Sequence, residues 1–187
     1  MDRAPFVFSV LALSGSLRQA SSNRALLQAA TVLAPPQLQI RQYEQWGVLP
    51  SFNPDDEGRE VASVRHFRAA VKAADAVLIA SPEYAHGVPG AFKNALDWLV
   101  GSGELINKPV AAINASGRAV HAQTSLLDTL AMMNADVVAA ASLTVALPTN
   151  QLDTAAMLAH TTVVAGLQQV LAGLHEHLLG VPQGAHS

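Results

Sequence analysis

Residues Phe6-Val7-Phe8-Ser9-Val10-Leu11-Ala12-Leu13 form a near-continuous apolar run of strand length that breaks abruptly into Ser14-Gly15-Ser16. A strand with one wet face alternates apolar and polar residues. A run that is apolar at almost every position belongs on a strand buried on both faces, as in a parallel sheet covered by helices on either side. Beyond the break, Ala25, Leu26, Ala29, Ala30 and Leu33 recur at helical spacing from Asn23 to Leu33, and Pro35-Pro36 stop the pattern. Strand, loop and helix in this order make the first part of a parallel crossover unit.

The unit repeats with different residues. The spacing predicts strands at Leu38–Tyr43, Ala76–Ala80, Val110–Asn114 and Val137–Thr144, and helices at Val61–Ala74, Gly90–Val100, Val120–Met133 and Thr154–Leu178. Such alternation implies an α/β fold with a five-stranded parallel sheet and right-handed crossovers. The spacing suits the smaller doubly wound order, 2-1-3-4-5, in which a ligand sits outside the carboxyl ends of the strands where the winding reverses. That points to the loops after strands one, three and four. Residues 45–59, with Gly47, Pro50, Pro54 and Gly58, read as an irregular surface or lid segment. One domain is expected over residues 1–180, with 181–187 a disordered tail.

Composition removes several function classes. Of 187 residues, 50% are hydrophobic and 13% charged, which suits a chain that folds on its own core. The absence of cysteine excludes disulfide scaffolds, thiolate nucleophiles and Cys-ligated metals, and it suits a reducing compartment, so a cytoplasmic location is expected. A formal charge of −3 offers no basic stripe, so neither nucleic acid nor an anionic membrane is an expected partner. No apolar run reaches the roughly 18 residues of a membrane span. Asp2 offsets Arg3, the run at 6–13 is short for a secretory signal and no small-residue cleavage site follows, so a first core strand is the better reading of the N-terminus.

The first loop, Ser14-Gly15-Ser16-Leu17-Arg18-Gln19-Ala20-Ser21-Ser22-Asn23, joins a buried strand to a helix start, where free backbone N–H groups and the helix dipole favour an anion. Gly15 permits a tight turn, Ser16, Ser21 and Asn23 can donate hydrogen bonds, and Arg18 can supply a charge-assisted one. These residues suit a phosphate. The loop has neither the G-x-x-x-x-G-K-[ST] nor the G-x-G-x-x-G pattern, which argues against a nucleoside triphosphate or a Rossmann dinucleotide site. Ser22 reads as an ordinary helix cap.

The third strand runs into Ser81-Pro82-Glu83-Tyr84-Ala85-His86-Gly87-Val88-Pro89-Gly90. Prolines and glycines fix an unusual backbone path that can aim peptide groups at the edge of a flat heterocycle, while Tyr84 offers a ring or hydroxyl. Prolines that only end a strand and open a helix, with His86 as a surface residue, are the plainer alternative.

Gly-Ser-Leu-Arg at 15–18 with Ser21 and Asn23, together with Pro-Glu-Tyr at 82–84 leading into Pro-Gly-Ala-Phe-Lys-Asn-Ala-Leu-Asp-Trp at 89–98, closely resemble the NADPH-dependent FMN reductase family. The resemblance implies a flavodoxin-like three-layer sandwich that binds FMN non-covalently. It further implies NADPH or NADH as hydride donor and a small-molecule acceptor such as a quinone, free flavin, azo compound or metal oxyanion, reached by ping-pong kinetics. Ser16, Arg18, Ser21 and Asn23 match the family's phosphate loop, and Pro82, Glu83, Tyr84 and Ala85 its ring loop, completed by His86 and Gly87. Ala20 stands where the family commonly has glycine. Ser116, Gly117 and Arg118, in the loop after strand four, are expected at the opposite ring edge. For Arg118 three readings stay open: the flavin's pyrimidine end, the nicotinamide nucleotide's phosphate, or plain solvation. The resemblance also implies a homodimer or homotetramer, and no catalytic side chain beyond the flavin itself.

The remaining candidates have structural readings. Lys93, Asn94, Asp97 and Trp98 share a helix and look structural or interfacial; Met132 and Met133 look like core filler. His175 and His177 lack the spacing to share a metal, and no metal site is expected. The competing functional class is a flavin-binding electron carrier or redox sensor that does not oxidise NAD(P)H directly. A hydrolase or nucleotide transferase reusing the phosphate loop ranks below both.

Overall fold

The computed structural model describes residues 6–59 and 61–181. The strands are β1 (Phe8–Ser14), β2 (Leu38–Gln42), β3 (Ala76–Ala80), β4 (Pro109–Ile113) and β5 (Asp136–Val137). They form one five-stranded sheet in the order β2-β1-β3-β4-β5, with every pair parallel. The helices are α1 (Ser22–Leu33), α2 (Ala62–Ala73), α3 (Gly90–Val100), α4 (Val120–Met132), α5 (Thr154–Leu158) and α6 (Thr161–Gly180). This is the expected α/β sandwich and strand order. The expected tail lies outside the described residues from position 182 onward.

The apolar runs work as strands because alternate residues feed two cores. Val10 and Ala12 of β1, Ala76, Leu78 and Ala80 of β3, and Ala111 and Ile113 of β4 face α1 and α6. Leu11 and Leu13, Val77 and Ile79, and Val110 and Ala112 face α2, α3 and α4, around Phe67, Phe92 and Leu96. Side chains alternate across a strand, so a strand buried on both sides must be apolar at consecutive positions.

Two expectations need correction. The fifth strand does not run from Val137 to Thr144. After two residues it leaves β4 in a turn at Val138–Ser142, then returns to make a single parallel bridge between Thr144 and Asn114, with Asn114 N–H donating to the Leu143 carbonyl and Val145 N–H to the Asn114 carbonyl. Three consecutive alanines, 139–141, carry no β-branched side chain to hold the ladder there. The orphaned Ala112 N–H donates instead to Ser142 Oγ at 3.1 Å. The last helix is also not continuous: α5 ends at Leu158 and α6 restarts with His160 as an extended N-cap residue. No glycine or proline marks this break in the sequence.

Segment 45–59 does not act as a free lid. It holds two 3₁₀ turns, and Pro50 accepts hydrogen bonds from Trp98 Nε1 at 2.8 Å and Asn94 Nδ2 at 2.9 Å, while Phe52 N–H donates to Asn94 Oδ1. Asn94 and Trp98 of α3 thus strap this segment down. Asp97 pairs with Lys93 on the same helix. Met133 is buried, but Met132 is 77% exposed: it lies one residue, about 100° of helix rotation, off the buried stripe.

Lys108 opens β4 and is nearly enclosed. Its ammonium donates to the carbonyls of Lys72 and Ala74 at the end of α2, and burial holds its pKa below the ordinary lysine value, partly offset by Asp75.

The segment after β3 makes a two-residue turn. Tyr84 and Gly87 exchange both backbone hydrogen bonds at 3.0 Å, and the central residues, Ala85 and His86, have φ of 48° and 63°. This is a primed turn built without glycine or asparagine at its centre, so both central residues carry left-handed strain.

Two stability effects are expected from these packing details. A Cβ at Gly173 of α6 would stand 2.7 Å from the Ala140 carbonyl oxygen. Overpacking costs about 1–3 kcal/mol against a gain of about 1 kcal/mol in helix propensity, so Gly173→Ala should lower the unfolding free energy in urea by up to roughly 2 kcal/mol. Ala85→Gly relieves about 1–2 kcal/mol of left-handed strain at an entropic cost of about 0.4–1 kcal/mol, and the same titration should show a gain of roughly 0.5–1 kcal/mol.

Candidate functional site

The loops at the carboxyl ends of the strands surround a cleft of about 780 Å³. Its walls come from four segments: the β1–α1 loop, the β3–α3 loop, the β4–α4 loop, and residues Ala146–Asn150 after β5. The first two are held close by the sheet. Gly15 N–H donates to the Ala80 carbonyl at 2.8 Å, and a Cβ on Gly15 would fall 2.3 Å from Ser81 Oγ. Glycine is required there because the strand ends approach too closely for a side chain.

Ser16, Arg18, Ser21, Ser22 and Asn23 all line one end of the cleft. Ser21 sits at the N-cap of α1 with extended backbone, yet its side chain makes no cap, and no acidic residue occupies the first turn. The positive end of the helix therefore faces the cleft without a protein anion to satisfy it. Asn23 is buried and its Oδ1 has no hydrogen-bond partner. Ser16 Oγ accepts from Arg18 N–H at 3.3 Å, which folds Ser16-Leu17-Arg18 into a tight turn. Arg24, the neighbouring cation, is engaged by Glu44 and Gln19.

Ser22 differs from its expected capping role. Its hydroxyl donates to the Asn150 carbonyl at 2.6 Å and ties the loop after β5 to the start of α1. Thr154 Oγ1 donates to Gln28 Oε1, six residues farther along α1. The wall at 146–150 was not legible in the sequence, because it follows the broken fifth strand. Leu147-Pro148-Thr149-Asn150, a turn-forming stretch before the next helix, is the only sequence signal for it.

On the opposite side, Pro82, Glu83 and Tyr84 line the cleft, and Tyr84 is 51% exposed at its rim. Ala85, His86 and Gly87 do not line it. The turn at 84–87 carries them outward, and the His86 ring stacks on His121 of α4 with centroids 4.5 Å apart and planes 5° from parallel. Glu83 Oε2 accepts from Ala122 N–H at 2.9 Å.

The β4–α4 loop is organised around buried Asn114, whose Oδ1 accepts from Ser116 N–H at 3.0 Å and whose Nδ2 donates to the Ala119 carbonyl at 3.1 Å. Ser116 Oγ accepts from Arg118 N–H at 3.3 Å, so Ser116-Gly117-Arg118 repeats the local geometry of Ser16-Leu17-Arg18. All three residues line the cleft, and a Cβ on Gly117 would meet nothing within 4 Å. Among the described residues, neither the Arg18 nor the Arg118 guanidinium is committed to a hydrogen bond or ion pair, which leaves two cations available to an anionic ligand. Tyr43, whose phenol burial pushes above its ordinary value, lies outside the cleft and bonds His66 Nδ1 at 2.8 Å.

Among the described residues no three His, Asp or Glu side chains gather to hold a metal, and no helix is long and apolar enough to cross a membrane. His177 instead pairs with Asp136 at 2.6 Å, while the His175 ring packs edge-on against Phe8.

The residues present fit FMN. An uncapped helix start, the side-chain donors of buried Ser21 and Asn23, and an uncommitted Arg18 suit a phosphate monoester. Peptide groups beside Pro82, Tyr84, Ala115 and Leu147 suit a flat ring.

An NAD(P)H-dependent FMN reductase of Pseudomonas aeruginosa is 40% identical over 131 residues, covering 67% of this chain and 70% of that protein. A quinone reductase of Pseudomonas putida is 38% identical over 120 residues, covering 61% and 63% of the two chains. Among solved structures, the NAD(P)H:(acceptor) oxidoreductase FerB of Paracoccus denitrificans superposes with a TM-score of 0.72 at 26% identity, covering 91% of this chain and 99% of that one. Residues 8–150, which hold all four walls of the cleft, match the family described as NADPH-dependent FMN reductase, and the chain belongs to that family.

Proposed function

We propose that the cleft holds FMN with its phosphate at the start of α1 and its ring between the 82–84 and 114–119 walls. There the protein passes two electrons from NADPH or NADH to a small-molecule acceptor of the quinone or azo type. The observation that carries this reading is the α1 N-terminus, which has no side-chain cap and no first-turn acid and opens on the cleft beside the uncommitted Arg18.

Bound FMN supplies the redox chemistry, accepting hydride from the nicotinamide and returning two electrons to the acceptor. The chain's own residues bind and orient. Ser16, Arg18, Ser21 and Asn23 hold the phosphate, helped by the dipole of α1. The backbone beside Pro82, Glu83 and Tyr84 and the turn at Ser116–Arg118 hold opposite edges of the ring. Tyr84, half exposed at the rim, offers an aromatic edge to an incoming planar substrate. Both substrates would use the same open face in turn, which gives ping-pong kinetics. No side chain of the cleft is assigned a proton transfer. Arg118 faces the same space from the far wall and suits an anionic group of the nicotinamide nucleotide. The reading extends to one domain over residues 1–180, a homodimer or homotetramer, and a cytoplasmic location, the last supported by the absence of cysteine.

The test is an absorbance titration. Protein loaded with FMN and freed of excess should keep its flavin bands, which should bleach within mixing time when NADPH is added without oxygen. Bands that resist both NADPH and NADH would overturn the reductase reading in favour of a carrier, and loss of all flavin would overturn the cleft assignment. In the same assay, replacing Arg18 and Ser21 together by alanine should weaken FMN binding by about 2–4 kcal/mol, roughly 30- to 1,000-fold.

A further inference from the structure

We infer that Glu83 is a positioning residue: it caps α4 from across the cleft and thereby fixes the gap between the two walls that flank the ring site. The inference rests on the FMN reading of the cleft. α4 begins Val120-His121-Ala122, its N-cap residue is Ala119, and neither a capping side chain nor an acidic residue is present in its first turn. A helix start without such groups leaves backbone N–H donors unmet. One of them, Ala122 N–H, is met at 2.9 Å by Glu83 Oε2, from a residue 39 positions earlier and on the facing wall.

A second contact closes the same gap. The His86 ring lies flat on His121, the residue before Ala122. His86 reaches it through the turn at 84–87, whose two central residues hold positive φ. Left-handed strain persists only where surrounding contacts determine the geometry, and here the paired Tyr84–Gly87 backbone bonds close the turn while the stacked pair and the Glu83 cap anchor it to α4. Both clamped segments also supply lining residues, Pro82 to Tyr84 on one side and Asn114 to Ala119 on the other.

Charge supports the assignment. Glu83 is the one carboxylate among the described lining residues, in a cleft otherwise furnished with hydroxyls, amides and two arginines. A free carboxylate would repel an anionic ligand. Bound to the first turn of α4, where the helix dipole is positive, its charge is used within the protein.

The test uses the full chain without ligand first. Amide hydrogen exchange is read at Ala122 and at Ser116, Arg118 and Ala119, and FMN affinity is then read by quenching of flavin fluorescence. In Glu83→Ala, exchange at Ala122 should accelerate and FMN affinity should fall about tenfold, the loss of one cap. Glu83→Gln keeps an acceptor oxygen and should restore both. A glutamine variant with Ala122 protected but FMN binding as weak as in the alanine variant would overturn the inference, since it would mean that the carboxylate touches the ligand. Wild-type affinity in Glu83→Ala despite fast exchange would also overturn it. Should the alanine variant fail to fold, His86→Ala takes its place: exchange at 116–122 should rise and FMN affinity fall, with His86→Phe restoring the stack, and no change in either quantity would overturn the clamp. Failure of the wild-type protein to bind FMN would instead sink the reading of the cleft, and the ligand-free exchange would still decide whether Glu83 holds α4 and its loop.

Discussion

The close parallel pairing of β1 with β3 is the constraint on which the site depends. These two strands lie side by side although a helix, a strand and another helix separate them in sequence, and the winding reverses between them. Loops leaving adjacent strands in opposite directions open a crevice between them. The crevice is narrow at its base because Gly15 lets its N–H reach Ala80 while Ser81 fills the space a side chain would need. The rest of the cleft is built outward from that contact: the α1 start on one side, the Pro82–Tyr84 path on the other, and the β4 loop folded round Asn114.

The cleft satisfies its polar groups unevenly, and the unevenness carries functional meaning. Buried polar atoms in folded proteins nearly always find partners. Asn114 finds two and Glu83 reaches across to α4 for one, but Asn23 Oδ1 finds none, and the first turn of α1 has no side-chain cap. Unmet groups collect at the end where Arg18 is uncommitted. The free N–H donors of the helix start and the uncommitted guanidinium at that end suit an anionic ligand.

The sequence announces β1, β3 and β4 because each is apolar at successive positions, the mark of burial on two faces, and it announces β2 by the alternation of an edge strand covered on one face. The fifth is harder to read for a physical reason. Its middle residues, Val138–Ser142, do not pair as a strand, and a serine hydroxyl meets the Ala112 N–H in place of a backbone carbonyl. The break before α6 is equally silent, since His160 is no ordinary helix stop and the apolar spacing continues through it. The same logic governs the site. Loops that leave legible strands, at 14–23, 81–90 and 114–119, could be located from residue types alone, whereas the wall at 146–150 could not. Within the legible loops, residue types indicate the chemistry but not the direction of each side chain. Glu83 lines the cleft yet spends its carboxylate on α4, and His86 is turned out of the cleft onto α4 by a turn whose left-handed residues, Ala85 and His86, carry no glycine or asparagine signature.

The hydrogen bond from Ser22 to Asn150 joins residues 128 positions apart, and the Thr154–Gln28 bond beside it spans 126. Contacts of such separation close late in folding, because their loop entropy must be overcome first. During synthesis the β1–α1 loop therefore leaves the ribosome long before the last wall of the cleft exists. α1 can dock on β1 and β3 early, but the cleft at its tip stays open on one side until the chain beyond β5 has been made and has settled against it. Competence for the cofactor is a property of the finished chain, although most of the groups that would hold its phosphate lie within the first 23 residues.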